Sequence, residues 1–515
     1  MSRLENLTHL LQGFSVALQP HNLLAAFAGC LIGTAIGALP GIGPVSGVAL
    51  LLPLTFGQQP VTAIIMLAGI YYGAMYGGAI TSILVNAPGE SASVVTALDG
   101  YQLARQGRGG LALALSAIGS FVAGTLGVVF LMLLAPTMAE VALRFGPPEN
   151  FALMVLGLTT VAGLGSGSLA KALISVVLGL MLGTVGIDTI SGRDRYTLGM
   201  VELLEGIDFV VAAIGVFALG EVLWNLQHPW RDEGALVDYG GFRSLWPSWR
   251  DLRATLPAML RGTLVGFLVG VLPGAGATVS SFLAYTLERR LSRHPERFGR
   301  GAPEGVAAPE AANNAATAGA MAPMLVLGIP GSATTGVILA ALLMFGLRPG
   351  PTLFLHNPDF VWGLFASMYV GNVMLLILNL PLVGLFAQIS RVPYRLLTFV
   401  ILLFSVLGTY GLRNSLFDVG LLFVFGVVGY LFRKADIPAA PMALGLVLAP
   451  LLEQAFRQSL IVSRGSYLIF LQRPVSLGVL ALAGVLTLGP VVWSKLAGRL
   501  RAARPAGMGA PSAGG

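Results

Sequence analysis

Leu39-Pro40-Gly41-Ile42-Gly43-Pro44 interrupts an apolar run in which a helix would otherwise continue. Proline lacks the N–H that would extend a helix, and the glycines carry no side chain to hold one, so the backbone is expected to open here. Inside a bilayer an opened backbone survives only where protein or a water-filled cavity satisfies its polar groups, which makes such a break a candidate ion or solute site. A plain loop between two helices is the alternative. Against it stands a second copy, Leu272-Pro273-Gly274-Ala275-Gly276, alike at four of five positions.

Around these breaks lies a chain of 515 residues with 55% hydrophobic and only 10% charged residues, and a mean hydropathy of +0.82. Soluble domains carry about a quarter charged residues, so the composition is that of a polytopic membrane protein. At about 20 residues per crossing the apolar runs predict roughly ten to twelve transmembrane helices in an all-α fold, some of them broken or re-entrant. The short alternating segments of an outer-membrane barrel are absent from the sequence. Thirty Lys and Arg against 23 Asp and Glu give a net charge of +7, an excess that belongs to cytoplasmic loops rather than to a nucleic-acid surface. The one cysteine, Cys30, lies in an apolar run, which leaves no disulfide framework and no thiolate metal site. Arg3, Glu5, His9 and Gln12 give the stretch up to Pro20 a polar character unlike that of a cleavable signal peptide.

A second kind of break follows the first in each half. Asn86-Ala87-Pro88-Gly89-Glu90-Ser91 ends the apolar run 61–85, and Gly328-Ile329-Pro330-Gly331-Ser332 ends the run that holds Asn313 and Asn314. The interval from Pro88 to Pro330 is nine positions longer than the interval from Leu39 to Leu272, so paired breaks recur in order with a small insertion between them the second time. The chain therefore divides into a first half, 1–226, with breaks at 39–44 and 86–91, a polar linker at 227–254, and a second half, 255–494, with breaks at 272–276 and 328–332. A tail at 495–515 is basic and then Gly/Ala-rich. Gly29, Gly33 and Gly37 stand four apart in one half, as do Gly262, Gly266 and Gly270 in the other, a stripe suited to close helix packing. The loop from Arg289 to Arg300 is strongly basic, whereas its counterpart Gly57-Gln58-Gln59-Pro60 is uncharged. Opposite charge at equivalent loops predicts two repeats of inverted topology whose broken elements meet near the midplane.

Four breaks supply carbonyls, amide N–H groups and half-helix ends. Helix N-termini attract carboxylates, while carbonyls and hydroxyls suit Na⁺, so one construction can hold an organic anion and its coupling cation. The candidate substrate- and ion-binding residues are Pro40, Gly41 and Gly43 at the first break and Asn86, Pro88, Gly89, Glu90, Ser91 and Ser93 at the second. In the other half they are Pro273, Gly274 and Gly276, then Asn313 and Asn314, then Pro330, Gly331, Ser332, Thr334 and Thr335. A Na⁺ site at the breaks is part of this reading, with its ligands open; no further cofactor and no catalytic residue is expected. Asn313 and Asn314 either serve the site or bond between helices. Glu90 could bind a cation, carry a proton, or pair with a basic group, and Glu310, after Pro309, could do the same or cap a helix start. Lys171 and Asp188, at the ends of a span, read as snorkelling charges. Glu202, Glu205 and Asp208 read as a solvated loop face. No Gly-Lys-Ser/Thr phosphate loop, Ser/His/Asp set or His-Glu-x-x-His occurs, which argues against an enzyme. A channel with re-entrant selectivity elements is the alternative to a carrier.

Leu39 to Pro44, the run from Tyr76-Gly77-Gly78 through Asn86-Ala87-Pro88-Gly89-Glu90 to Leu98-Asp99-Gly100-Tyr101, and Gly305 to Ala315 with Leu327 to Ser332 resemble the large membrane subunit of tripartite tricarboxylate transporters, the TctA family. The likeness runs from about residue 20 to 495. It implies a multi-pass protein of the bacterial inner membrane that takes up tricarboxylates or related organic carboxylates, driven by a gradient of Na⁺ or H⁺. It also implies two partners besides the lipid bilayer: a periplasmic solute-binding protein that delivers substrate, and a small membrane subunit of about four helices.

Overall fold

The computed structural model describes residues 3–39, 42–164, 168–188, 190–227, 237–389 and 392–487. Pro40 and Gly41 of the first break, residues 228–236 of the linker and the tail from 488 lie outside the described residues. The first half holds α1 (Arg3–Ala17), α2 (Pro20–Gly37), α3 (Pro44–Leu51), α4 (Pro60–Leu84), α5 (Val94–Leu103), α6 (Gly109–Ala142), α7 (Pro147–Leu164) and α8 (Leu169–Leu182). A loop with a two-residue antiparallel pairing, Gly186–Ile187 against Asp194–Arg195, leads to α9 (Phe209–Ala213), a π-helical stretch and α10 (Gly220–Gln227). The second half holds α11 (Trp249–Val271), α12 (Gly276–Leu291), α13 (Glu304–Leu327), α14 (Ala333–Met344), α15 (Pro351–His356), α16 (Pro358–Asn379), α17 (Val383–Ile389), α18 (Tyr394–Arg413), α19 (Leu416–Lys434), α20 (Ala440–Val462) and α21 (Ile469–Gln472).

Among the described residues eight helices are long and apolar enough to cross a membrane, and four shorter apolar ones, Pro44–Thr55, Leu169–Leu182, Ala333–Met344 and Pro474–Thr487, join them. Composition predicted such a fold, and the chain is an all-α multi-pass membrane protein. Prolines open α2, α3 and α4, where the missing N–H costs nothing because the first turn has no acceptor for it. Between α5 and α6, in the exposed polar stretch 105–108, the backbone swings through Gly107 at φ +74°, which separates the two helices.

Both glycine stripes pack on backbone. A Cβ at Gly29, Gly33 or Gly37 would come 2.2–2.5 Å from the carbonyl oxygen of Met66, Ile70 or Ala74 on α4. At Gly262, Gly266 and Gly270 it would come 2.2–2.5 Å from those of Ala308, Ala312 and Ala316 on α13. Every one of these pairs maps onto its counterpart by the two intervals read from the sequence, Leu39 to Leu272 for the glycines and Pro88 to Pro330 for the residues they touch. The same correspondence holds at the second breaks. Asn86 and Gly328 both take left-handed backbone, at φ +58° and +68°. Just after them Ala87 N–H donates to the Thr81 carbonyl and Ile329 N–H to the Pro323 carbonyl, each at 3.2 Å. The residue before the next helix then forms a capping box with the third residue beyond it, Glu90 with Ser93 and Ser332 with Thr335.

Gly100 on α5 lies against both Ile83, near the end of α4, and Val306, near the start of α13. Tyr72 and Tyr76, earlier in α4, line a small void with Asn314 and Thr317, later in α13. The two equivalent helices therefore run antiparallel. One end of the molecule collects the C-terminal ends of α4 and α5 with the basic loop, through Gly301, Ala302 and the Gln106 amide donating to the Arg300 carbonyl at 2.8 Å. The turn at 57–60 lies at the other end of α4, roughly 35 Å off at the helical rise per residue.

Candidate functional site

The breaks converge. A cleft of about 730 Å³ is lined by Gly43 and Pro44 from the first, Glu90 and Ser91 from the second, Gly274 to Thr278 from the third, and Ser332 to Thr334 from the fourth. Tyr71 on α4, Val161 on α7 and Pro438 between α19 and α20 complete its walls. The third break is fixed in place: Gly274 takes φ +79°, its N–H donates to the Gly331 carbonyl at 3.0 Å, and a Cβ there would lie 2.4 Å from Val161 Cα. Across the cleft the Ser91 and Thr278 hydroxyls share a hydrogen bond of 2.9 Å, which ties the first half's second break to the second half's hairpin.

Glu90 stands where the two halves exchange contacts. Its side chain lies over Gly78 of α4, and its Oε1 accepts from Asn313 Nδ2 at 2.9 Å. The counterpart of Asn313 in the first half is Tyr71, and Tyr71 shares a hydrogen bond of 3.3 Å with Ser332, the counterpart of Glu90. Each half thus presents the cap of its own second break to the long helix of the other half. The chemistry is unequal: one cap is a carboxylic acid and the other a hydroxyl.

The other sequence candidates fall into three groups. Gly43, Ser91, Gly274, Gly276, Ser332 and Thr334 line the cleft beside Glu90. Pro88 and Gly89, Pro330 and Gly331, and Pro273 build the backbone openings behind it, with Gly89 pressed on the Gly37 carbonyl. Asn86 is exposed at the left-handed turn, Ser93 and Thr335 are buried in their capping boxes, and Asn314 faces α6, donating to Ser120 Oγ at 2.7 Å and to the Glu310 carbonyl at 3.1 Å. Asn313 and Asn314 are adjacent on a helix, about 100° apart, so one turns to the cleft side and the other to α6.

Several readings of single residues change. Glu310 sits two turns inside α13, fully buried, and accepts from the Thr96 and Ser116 hydroxyls, so it caps nothing. Asp188 is a buried loop residue: the Ser191 hydroxyl, the Ile190 N–H and the Arg457 guanidinium hold its carboxyl well below the usual range. Lys171 donates to the Ala435 carbonyl at 2.6 Å. Glu205 and Asp208 pair with Arg413 at 3.6 and 3.4 Å. Asp99, in the motif but outside the candidate set, is fully buried and accepts four hydrogen bonds: Gly299, Gly301 and Ala302 N–H at 2.8 Å each and the Tyr285 hydroxyl at 2.9 Å. An acid in an apolar run was the signal available for it. Tyr71 and Thr278 carried no such signal.

Two further clefts have similar size. One of about 660 Å³ holds Asp188, Arg195 and Glu453, whose charges bond one another and Arg457. One of about 840 Å³ lies beyond the fourth break, over Gly328 and Arg348. Among the described residues no group of three or more His, Cys, Asp or Glu is placed to hold a metal ion.

Comparison with known proteins agrees with this architecture. The sequence profile described as "Tripartite tricarboxylate transporter TctA family" matches residues 23–444. A protein from Agrobacterium vitis described as an "uncharacterized 52.8 kDa protein in TAR-I ttuC' 3'region" is 47% identical over 492 residues, 95% of this chain and 97% of the relative. A second from the same organism, an "uncharacterized protein in TAR-II ttuC' 3'region", is 43% identical over 223 residues, 43% of this chain and 92% of the relative. No solved structure gives a significant match.

Proposed function

Because the chain belongs to the tripartite tricarboxylate transporter TctA family, we propose that it is the carrier subunit of a secondary transporter, taking up a tricarboxylate or related carboxylate through the cleft where the four breaks meet. The observation that carries this reading is that cleft. It has the volume of a small-molecule site, opened backbone on four sides and hydroxyls at Ser91, Thr278, Ser332 and Thr334. The α14 N-terminus, capped by Ser332, supplies N–H groups suited to a carboxylate, and the breaks and Glu90 supply the oxygens that suit a coupling cation, Na⁺ or H⁺. Nothing in this reading requires catalytic chemistry, and we place the protein among carriers rather than enzymes.

The family description speaks of a tripartite transporter. A periplasmic solute-binding protein and a small four-helix membrane subunit are the proposed partners, and the bacterial inner membrane the proposed location. We also propose that the two halves are repeats of inverted topology. Antiparallel α4 and α13, the matched glycine contacts and the separation of the 57–60 turn from the basic loop support this. Cysteines at Gln58 and Ser292 are expected to react with an impermeant thiol reagent from opposite sides of the membrane, since the native Cys30 is buried. Labelling from one side would sink the inverted arrangement.

The test of function is uptake into membrane vesicles from cells expressing the protein with both proposed partners, using a labelled panel of mono-, di- and tricarboxylates. Saturable uptake that follows a Na⁺ or pH gradient is expected for at least one member. Current that neither saturates nor couples would mark a channel, and no flux of any member would remove the transport reading.

A further inference from the structure

We propose that the coupling ion is a proton and that Glu90, paired with Asn313, is the residue that binds and releases it. This rests on the transport reading above and assigns the cation within it. Glu90 is 8% exposed and lines the cleft, so its carboxyl is nearly desolvated yet meets the space a substrate would occupy. Burying a carboxylate without a counter-charge is costly, and proteins resolve it by pairing, by a bound cation or by protonation. Among the described residues no Lys, Arg or His forms an ion pair with Glu90.

Asn313 selects between the two remaining solutions. The residue is fully buried; its Nδ2 donates to Glu90 Oε1, and its Oδ1 has no partner. An orphaned buried carbonyl is costly, because it has given up water and gained nothing in return. A proton on the second oxygen of Glu90 creates the donor that this carbonyl lacks, so acid and amide can then pair through two hydrogen bonds, as a carboxylic acid and an amide do. A proton needs only the two oxygens that this pair brings together, one from Glu90 and Asn313 Oδ1, whereas a sodium ion needs a shell of several oxygens drawn from further groups. On loading, the O–H bond forms on Glu90 with a proton drawn from cleft water; on release, it breaks and the proton returns to water on the other side.

The surroundings isolate this group. Facing it from α13 is Glu310 and from α4 is Tyr71. The hairpin of α12 presents Thr278 and the fourth break Ser332, neither of which titrates, while α2 presents the Gly37 backbone. Further along α5, Asp99 is saturated by its four donors. Glu310 has a hydroxyl donor on each oxygen and does not line the cleft, so it lacks the access that cycling requires. In the second half the position of Glu90 is Ser332, a hydroxyl that carries no exchangeable charge.

The experiment uses the same vesicles and the panel carboxylate that wild type transports, with the membrane potential clamped at zero. At one pH unit, inside alkaline and without Na⁺, a one-proton symporter is expected to accumulate cargo about tenfold. E90Q, which mimics the protonated acid, is expected to lower that ratio to about one while reaching the membrane in wild-type amount and melting in detergent as wild type does, the sign of a folded protein. E90S, carrying the cap of the other half, serves as the second variant and is expected to behave alike. Wild-type accumulation that needs Na⁺ and ignores the pH gradient, or either variant retaining the pH-driven ratio, overturns the proton assignment and leaves the transport reading standing. Absence of wild-type transport for every panel member overturns the transport reading itself.

Discussion

Replacing Gly266 by leucine is expected to abolish folded protein in the membrane, and replacing Gly33 is expected to do the same. At both positions even the first added carbon would lie 2.2 and 2.5 Å from a backbone carbonyl oxygen of the facing helix. Backbone of a packed helix cannot swing aside as a side-chain end can, so α11 must part from α13, or α2 from α4, along the whole seam. A single overpacked methyl group costs about 1–3 kcal/mol; four carbons against a carbonyl exceed that, and without a hydrophobic drive between helices in lipid the seam depends on close packing. Alanine at the same positions is expected to give a graded loss, read as thermal stability of the detergent-solubilised protein. Gly43→Ala serves as the contrast: it has φ −71° and no atom within 4 Å of an added Cβ, and it should melt as wild type does. Equal tolerance at all three sites would show that the seams are not closely packed.

Asp99→Ala is the second large effect. It strips the acceptor from three backbone N–H groups and the Tyr285 hydroxyl, and of these the bonds from Gly301, Ala302 and Tyr285 are buried. Each buried donor left without a partner costs about 1–3 kcal/mol, so a loss on the order of 3–5 kcal/mol is expected even if some donors find water. Asp99→Asn keeps one carbonyl oxygen for the three N–H groups and should lose less, and Tyr285→Phe, which leaves the loop clamp in place, about 1 kcal/mol. Limited proteolysis in the loop 292–303 reads the same order. A ranking in which Tyr285→Phe matches Asp99→Ala would mean that the loop is held by something other than Asp99.

The breaks were legible because they rest on local chemistry. Pro-Gly pairs inside apolar runs mark openings whatever surrounds them, and the intervals from Leu39 to Leu272 and from Pro88 to Pro330 survive as the same turn, cap and glycine contact in both halves. The glycine stripes were likewise legible as packing. What stayed hidden depends on partners far away in sequence. Asp99 finds its donors in the loop just before α13, in the other half of the chain, and no pattern around Leu98-Asp99-Gly100 announces them. Tyr71 and Thr278 reach the cleft only because the two halves cross. The separation of Asn313 from Asn314 was within reach of the sequence, since neighbours on a helix cannot share a face. Of the two readings open for Glu310 the capping one falls, because Pro309 suggested a helix start there whereas the helix begins at Glu304 and takes Pro309 and Pro323 into its length.

The hydrogen bond from Gly274 N–H to the Gly331 carbonyl limits how this molecule can move. It joins a hairpin tip to a half-helix start, and Gly274 is wedged on Val161. Two openings that sequence presents as separate parts therefore share one set of mechanical freedoms. Any rearrangement that exposes the cleft first to one side and then to the other has to carry α12 and α14 as a single piece, or break this backbone bond on every cycle.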